Sequence, residues 1–150
     1  MKTYQSFSSE ETQAVGEALG QQAAREVGRR GKSGATVFAL TGDLGAGKTT
    51  FVQGFFKGLG LKRRAQSPTF ILMRRHALAR KNGNVYHLDV YRLKEAAQLG
   101  VLGMEEILAD PRSIVLVEWA ERVKKIFPRG TTWIAFRHGK KENERRIIIR

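Results

Sequence analysis

The chain has no cysteine. That excludes a disulfide framework and any thiolate-bound metal. No apolar run approaches the length of a membrane span, and the opening residues, Met1 to Glu11, contain no hydrophobic signal region. The expectation is a cytoplasmic protein with no membrane association. There is no internal repeat and no low-complexity tract. There is no RNP-type aromatic motif and no zinc knuckle, so no recognised RNA module is present. An N-K-x-D base-reading motif is also missing, which argues against a GTPase.

Acidic side chains are scarce. Asp and Glu number 14 against 27 Lys and Arg, a formal net charge of +13. The basic residues cluster at Lys62-Arg63-Arg64, Arg74-Arg75, Arg80-Lys81, Lys124-Lys125 and from Arg137 through Arg150. Such a field attracts polyanions, either RNA or an acidic protein partner. The plainer reading is a solvated basic surface. At 150 residues the chain reads as one domain, 1–150, able to bury about two thirds of its unfolded surface.

What is present centres on Gly42-Asp43-Leu44-Gly45-Ala46-Gly47-Lys48-Thr49, a match to the P-loop pattern G-x-x-x-x-G-K-[ST]. The apolar, β-prone run Thr36 to Thr41 precedes it. Phe51, Val52, Phe55, Phe56 and Leu59 follow at helical spacing. Strand, glycine loop and helix form the context this pattern requires. The glycines let successive N–H groups turn toward a phosphate, and the helix adds its positive end. Lys48 is expected to reach the β- and γ-phosphates, Thr49 to ligate Mg²⁺, and Thr50 to lie nearer the α-phosphate.

Around this centre the elements alternate. Ser8 and Glu11 form a capping box that starts a helix. Ala14, Val15, Ala18, Leu19, Ala23 and Val27 supply its expected apolar face, and Gly28, Gly31 and Gly34 end it. Residues 70–77 and 84–91 read as a hairpin around Asn82-Gly83. Lys94 to Leu99 and Met104 to Leu108 read as short helices, and Ser113 to Glu118 as a second apolar strand. Ala120 to Phe127 is expected to be helical up to Pro128. Thr131 to Arg137 and Arg145 to Arg150 read as two further strands. The predicted fold is α/β, a P-loop NTPase-like three-layer arrangement whose mixed sheet has a parallel core plus antiparallel strands.

A metal held by a P-loop needs a carboxylate from a neighbouring strand end. Glu118, after four apolar residues, has the form of a Walker B acid. Asp89, in His87-Leu88-Asp89-Val90-Tyr91, is its rival, and one can serve the metal while the other serves the attacking water. Thr69, stiffened by Pro68, is either a switch threonine sensing the γ-phosphate or a strand-start threonine with a backbone role. His87 shares a strand face with Asp89, as a neighbour of the site or as a structural histidine. Trp119 reads as core or interface packing.

Four blocks carry a resemblance: Gly42 to Thr50, Ser67-Pro68-Thr69-Phe70, Tyr86 to Leu93, and Val117-Glu118-Trp119. In order and spacing the chain resembles the TsaE (YjeE) family, small bacterial ATPases of tRNA threonylcarbamoyladenosine biosynthesis. The resemblance implies binding of ATP and Mg²⁺ and slow hydrolysis alone. It implies action with TsaD and TsaB, which modify tRNA adenosine 37, with hydrolysis driving or resetting that complex. By carry-over Gly45, Ala46, Gly47, Lys48, Thr49 and Thr50 hold the phosphates. Lys48, Asp89, Glu118 and Thr69 form the catalytic set, and Thr49, Glu118 and Asp89 the metal set. Ser9, Thr12, Glu121 and Arg145 complete the nucleotide contacts. The chain departs from the family in being more basic, and relatives commonly carry residues beyond the position of Arg150. Two other classes remain open: a small-molecule kinase, for which residues 91–112 are short, and a non-enzymatic nucleotide- or RNA-binding module.

Overall fold

A computed structural model describes residues 1–29, 31, 33–62, 72–79 and 82–150. Thr69, the rest of its Ser-Pro-Thr-Phe block, and the basic pairs 63–64 and 80–81 lie outside the described residues. In chain order the elements are strand β1 (Lys2–Ser6), helix α1 (Ser9–Glu26), β2 (Thr36–Thr41), α2 (Lys48–Gly58), β3 (Met73–Ala77) and β4 (Asn84–Asp89). There follow a 3₁₀ helix (Ala96–Leu102), α3 (Met104–Ala109), β5 (Ser113–Glu118), a second 3₁₀ helix (Ala120–Ile126), β6 (Thr132–His138) and β7 (Arg145–Ile149).

The strands form one sheet in the order β1-β7-β6-β2-β5-β4-β3. β6, β2, β5 and β4 are mutually parallel, while β1, β7 and β3 pair antiparallel. This is the expected mixed sheet. Alternation within the strands feeds two cores. Phe38, Leu40, Ile114, Leu116, Ile134, Phe136 and Ile147 face α1 and α2, where Phe51, Phe55 and Phe56 meet them. Val37, Ala39, Val115, Val117 and Leu88 face the other way, onto Leu99, Met104, Ile107 and Val123 of the shorter helices. The three layers follow from that two-sided burial.

The 73–77/84–89 hairpin is present, with Asn82 at φ 46° in its turn and Leu78 N–H donating to the Gly83 carbonyl at 2.9 Å. β1 is an addition to the sequence reading. Four of its five residues are exposed, so it lacks the apolar alternation that marks a strand.

The buried face of α1 also differs from expectation. Ala14 and Ala18 are exposed, and the buried stripe is Thr12, Gly16, Gly20 and Ala23. The reason is the approach of α2. A Cβ placed on Gly16 or Gly20 would fall onto the carbonyl oxygens of Phe51 or Phe55. One placed on Gly54 or Gly58 would fall onto those of Gln13 or Glu17. The seam is therefore backbone against backbone, and apolarity alone does not reveal it. Gln13 meets Gly54 and Glu17 meets Gly58, so the two helices run in the same direction. Both N-termini arrive at the glycine loop. Gly54→Ala should lower stability by about 1–3 kcal/mol through overpacking, despite alanine's better helix propensity. Urea unfolding of this variant beside Gly100→Ala, where a Cβ meets nothing, checks it; equal midpoints would contradict the seam.

Candidate functional site

The loop between β2 and α2 is shaped by close approach. Gly42 has φ 132°, and a Cβ there would strike the Phe136 carbonyl of β6. Gly47, at φ 101°, is the N-cap of α2 and offers no side-chain cap. The first-turn amides of α2 thus lack both an intrahelical partner and a capping side chain, the usual condition of a helix start that receives an anion. From β6, the His138 ring Nε2 lies 3.2 Å from the Leu44 carbonyl oxygen at the loop tip.

Lys48 folds back over this loop. Its Nζ donates to the carbonyls of Gly42 at 2.5 Å and Asp43 at 2.9 Å. It also sits 3.6 Å from the centroid of the Trp119 ring. Burial lowers the lysine pKa, and the carboxylates of Glu118, Glu121, Asp89 and Asp43 oppose that shift. Trp119 itself has φ 61°. For a bulky side chain this left-handed backbone costs about 1–3 kcal/mol and collects at functional sites. The turn it makes ends β5, aims the indole under Lys48, and stacks it at 4.7 Å from the Tyr91 ring.

Glu118, the last residue of β5, is 1% exposed. Thr49 Oγ1 donates to its Oε2 at 3.0 Å, and His87 Nε2 lies 2.8 Å from its Oε1. His87 is fully buried, packed edge-on to Phe56. Its Nδ1 is a buried nitrogen without a hydrogen-bond partner. The two sequence readings of His87 are therefore both realised, as a core histidine that also orients the strand-end acid. Asp89 sits beside Glu118 in register, and its Oδ1 accepts from Tyr91 N–H at 3.0 Å. Glu118 and Asp89 line one cavity of about 340 Å³ together with Gly45, Gly47, Lys48, Thr49, Thr50 and Trp119. Among the described residues, no group of three or more His, Cys, Asp or Glu forms a metal cage. A cation here would need hydroxyl, carboxylate and ligand oxygens, the donor set typical of Mg²⁺.

A smaller cavity of about 70 Å³ adjoins the other side of the loop. Ser9, Thr12 and Arg145 line it with Gly45, Gly47 and Thr50. The structure thus gathers residues from both chain ends at the loop. Ser8 and Asn143 also line it, and Ser6 bonds Thr12 through a buried hydroxyl pair at 2.7 Å. Sequence reasoning missed Ser6, Asn143 and His138. Ser6 ends the unrecognised strand β1, and His138 reaches the site only because β6 pairs it with Arg145. Glu121 lines neither cavity, but its charge acts on Lys48.

If His87 holds Glu118, His87→Gln should keep an amide donor near the Nε2 position, while His87→Met should leave the carboxylate short of a partner. The methionine variant should lose about 1.5–3 kcal/mol relative to glutamine in denaturant unfolding. Equal stability would contradict the pairing.

The chain was compared with known proteins. A family model described as "TsaE: Threonylcarbamoyl adenosine biosynthesis protein TsaE" matches residues 6–147. A Bacillus subtilis protein named "tRNA threonylcarbamoyladenosine biosynthesis protein TsaE" is 37% identical over 116 residues, 75% of this chain and 68% of that protein. A Treponema pallidum protein of the same name is 38% identical over 111 residues, 74% of this chain and 78% of that one. For the Haemophilus influenzae protein of that name the match is 38% over 91 residues, spanning 61% of this chain and 56% of the relative. A crystal structure of Bacillus subtilis YdiB superposes with a TM-score of 0.71 at 30% identity, covering 97% of this chain and 82% of that one.

Proposed function

The chain belongs to the TsaE family of threonylcarbamoyl adenosine biosynthesis proteins, and from that premise we propose that it is a Mg²⁺-dependent ATPase acting with TsaD- and TsaB-like proteins in tRNA modification. The family takes part in tRNA threonylcarbamoyladenosine biosynthesis. On this reading, hydrolysis drives or resets the TsaD–TsaB complex that modifies tRNA adenosine 37. The observation that supports it best is the buried Glu118 carboxylate placed against Thr49 at the head of α2.

The Thr49 Oγ1 to Glu118 Oε2 spacing of 3.0 Å suits Mg²⁺. Two adjacent octahedral oxygens at ~2.1 Å from one ion lie about 3 Å apart. Thr49 and Glu118 would hold the metal, which supplies charge neutralisation at the phosphates. The loop and α2 amides would cradle the phosphate chain, and Lys48 would neutralise its outer oxygens. Asp89, next to Glu118 and lining the same cavity, would accept a proton from an attacking water. Ser9, Thr12 and Arg145 would contact the remainder of the nucleotide. Thr69 would sense the terminal phosphate. Slow turnover in isolation follows if a partner supplies the missing transition-state charge.

A kinase needs a lid and an acceptor pocket. Here Leu99, Met104 and Ile107 of the segment after Tyr91 are packed into the core on the sheet's other face, which disfavours that class. Among the described residues no helix is long and apolar enough to cross a membrane.

Three outcomes test the proposal. γ-Labelled ATP should yield free phosphate; label on a small metabolite would favour a kinase. Lys48→Ala should weaken ATP binding at least tenfold in calorimetry, since charged hydrogen bonds contribute about 1.5–3 kcal/mol. Glu118→Gln should still bind ATP but lose turnover, and phosphate release at the wild-type rate by this variant would refute the role given to Glu118.

A further inference from the structure

Among the described residues, the part of the sheet's second face beyond β2 has no helix of the second core on it, although Trp133 of β6 packs edge-on to Phe127 there. The shorter helices cover β4, β5 and β2 on that side. Beyond β2 the register of β6, β7 and β1 sets out what remains. Arg137 of β6 lies opposite Arg146 of β7, which lies opposite Gln5 of β1. The next row on the same face is Ala135, Ile148 and Thr3. After it, Trp133 and Arg150 exchange backbone hydrogen bonds at 3.0 and 2.9 Å. Arg137, Arg146, Arg150, Gln5 and Thr3 are exposed. Ile148, between these residues, is 7% exposed.

No acid stands in these rows. Among the described residues neither Arg137 nor Arg146 has an ion pair or a side-chain hydrogen bond. Like charges directly opposite on neighbouring strands oppose folding by a few tenths to about 1 kcal/mol. The 3₁₀ helix Ala120–Ile126, which sits on this side over β2, adds exposed Lys124 and Lys125, and the turn after it adds exposed Arg129. Glu142 and Glu144 follow on the β6–β7 turn, and Glu144, opposite Gly139, lies in the next row of this face with its side chain against Gly139. There Glu144 accepts from the Lys140 and Lys141 amides at 2.9 and 3.2 Å. None of these basic residues lines the nucleotide cavities described above.

We propose that this basic half-sheet is an RNA-docking surface that takes the phosphate backbone of tRNA. Arg137 and Arg146 project from adjacent strands whose backbones are about 5 Å apart, and each guanidinium is able to fork onto a phosphate. Thr3 and Gln5 offer neutral donors beside them. The contact is to backbone rather than to bases, in keeping with the absence of any base-reading motif. The proposal rests on the chain's family membership in tRNA modification and does not depend on ATP hydrolysis.

The test is binding of unfractionated tRNA to the full chain across a salt series. The double variant Arg137→Gln/Arg146→Gln should bind about tenfold more weakly at 100 mM salt than wild type. Its log–log salt slope should be shallower by about 1.4–1.8, from about 0.7–0.9 for each of the two lost phosphate contacts. ATP affinity should not change, and the melting temperature should not fall, because a facing like-charge pair has been removed. A control of equal charge change, Arg25→Gln/Lys57→Gln on the α1–α2 layer, should retain tRNA binding. Equal loss in both double variants would reduce the effect to net charge and overturn the proposal. So would undetectable tRNA binding by the wild type. Unchanged tRNA binding with lost binding to the TsaD–TsaB pair would assign the face to a protein partner instead. Failure of ATP binding in every form would count against the ATPase reading alone.

Discussion

Glu118 is an ionisable group at 1% exposure, and a carboxyl in so dry a place is tolerable only when neighbours hold both of its oxygens. One partner, Thr49, comes from the head of α2; the other, His87, comes from β4. Those two bonds fix the depth of α2 against the sheet and the relative height of β4 and β5. The rest of the site follows. Asp89 is carried two residues past His87 to the same strand-end level. Trp119, forced into a left-handed backbone directly after Glu118, turns its ring beneath Lys48. The lysine is thereby enclosed by a ring, two carbonyls and four carboxylate fields. A phosphate chain entering the loop would meet a cation already stripped of much of its water.

The glycine seam between α1 and α2 extends this order to the other side of the loop. Parallel helices in backbone contact bring Ser8 and Ser9 beside Gly45 and Gly47, where β7 delivers Arg145. The small cavity there is assembled from residues near both chain ends. It depends on β1, whose last residue, Ser6, is bonded to Thr12. The glycine-loop side and the basic half-sheet share β6 and β7. His138 and Arg145 point to the loop, while Arg137 and Arg146 point to the opposite face. Strand alternation alone separates the two surfaces.

Much of this was legible before the structure. The strand–loop–helix context of the P-loop, the Ser8 N-cap, the hairpin and the acid-terminated strand β5 are local patterns, each marked by residues within a few positions of one another; of the expected capping box only the Ser8 half forms, because Glu11 accepts from Phe7 N–H instead. The pairing of Glu118 with Thr49 could be anticipated from chemistry. Other features are set by contacts distant in sequence. β1 is polar because only one residue of it enters the core. The buried stripe of α1 is glycine because another backbone lies against it, so Ala14 and Ala18 misled as core positions. His138 and Ser6 become neighbours of the loop only through register. The basic half-sheet is visible only once it is known which strands the helices of the second core leave uncovered.

The central claim is that this site is a conditional ATPase, set by Glu118 and completed by partners. Phosphate release from ATP and Mg²⁺ tests it most directly, measured for the chain alone and with TsaD- and TsaB-like proteins and tRNA. The account predicts slow release alone and a large stimulation when the partners are added. No phosphate release under either condition, or rapid release that the partners leave unchanged, would contradict it.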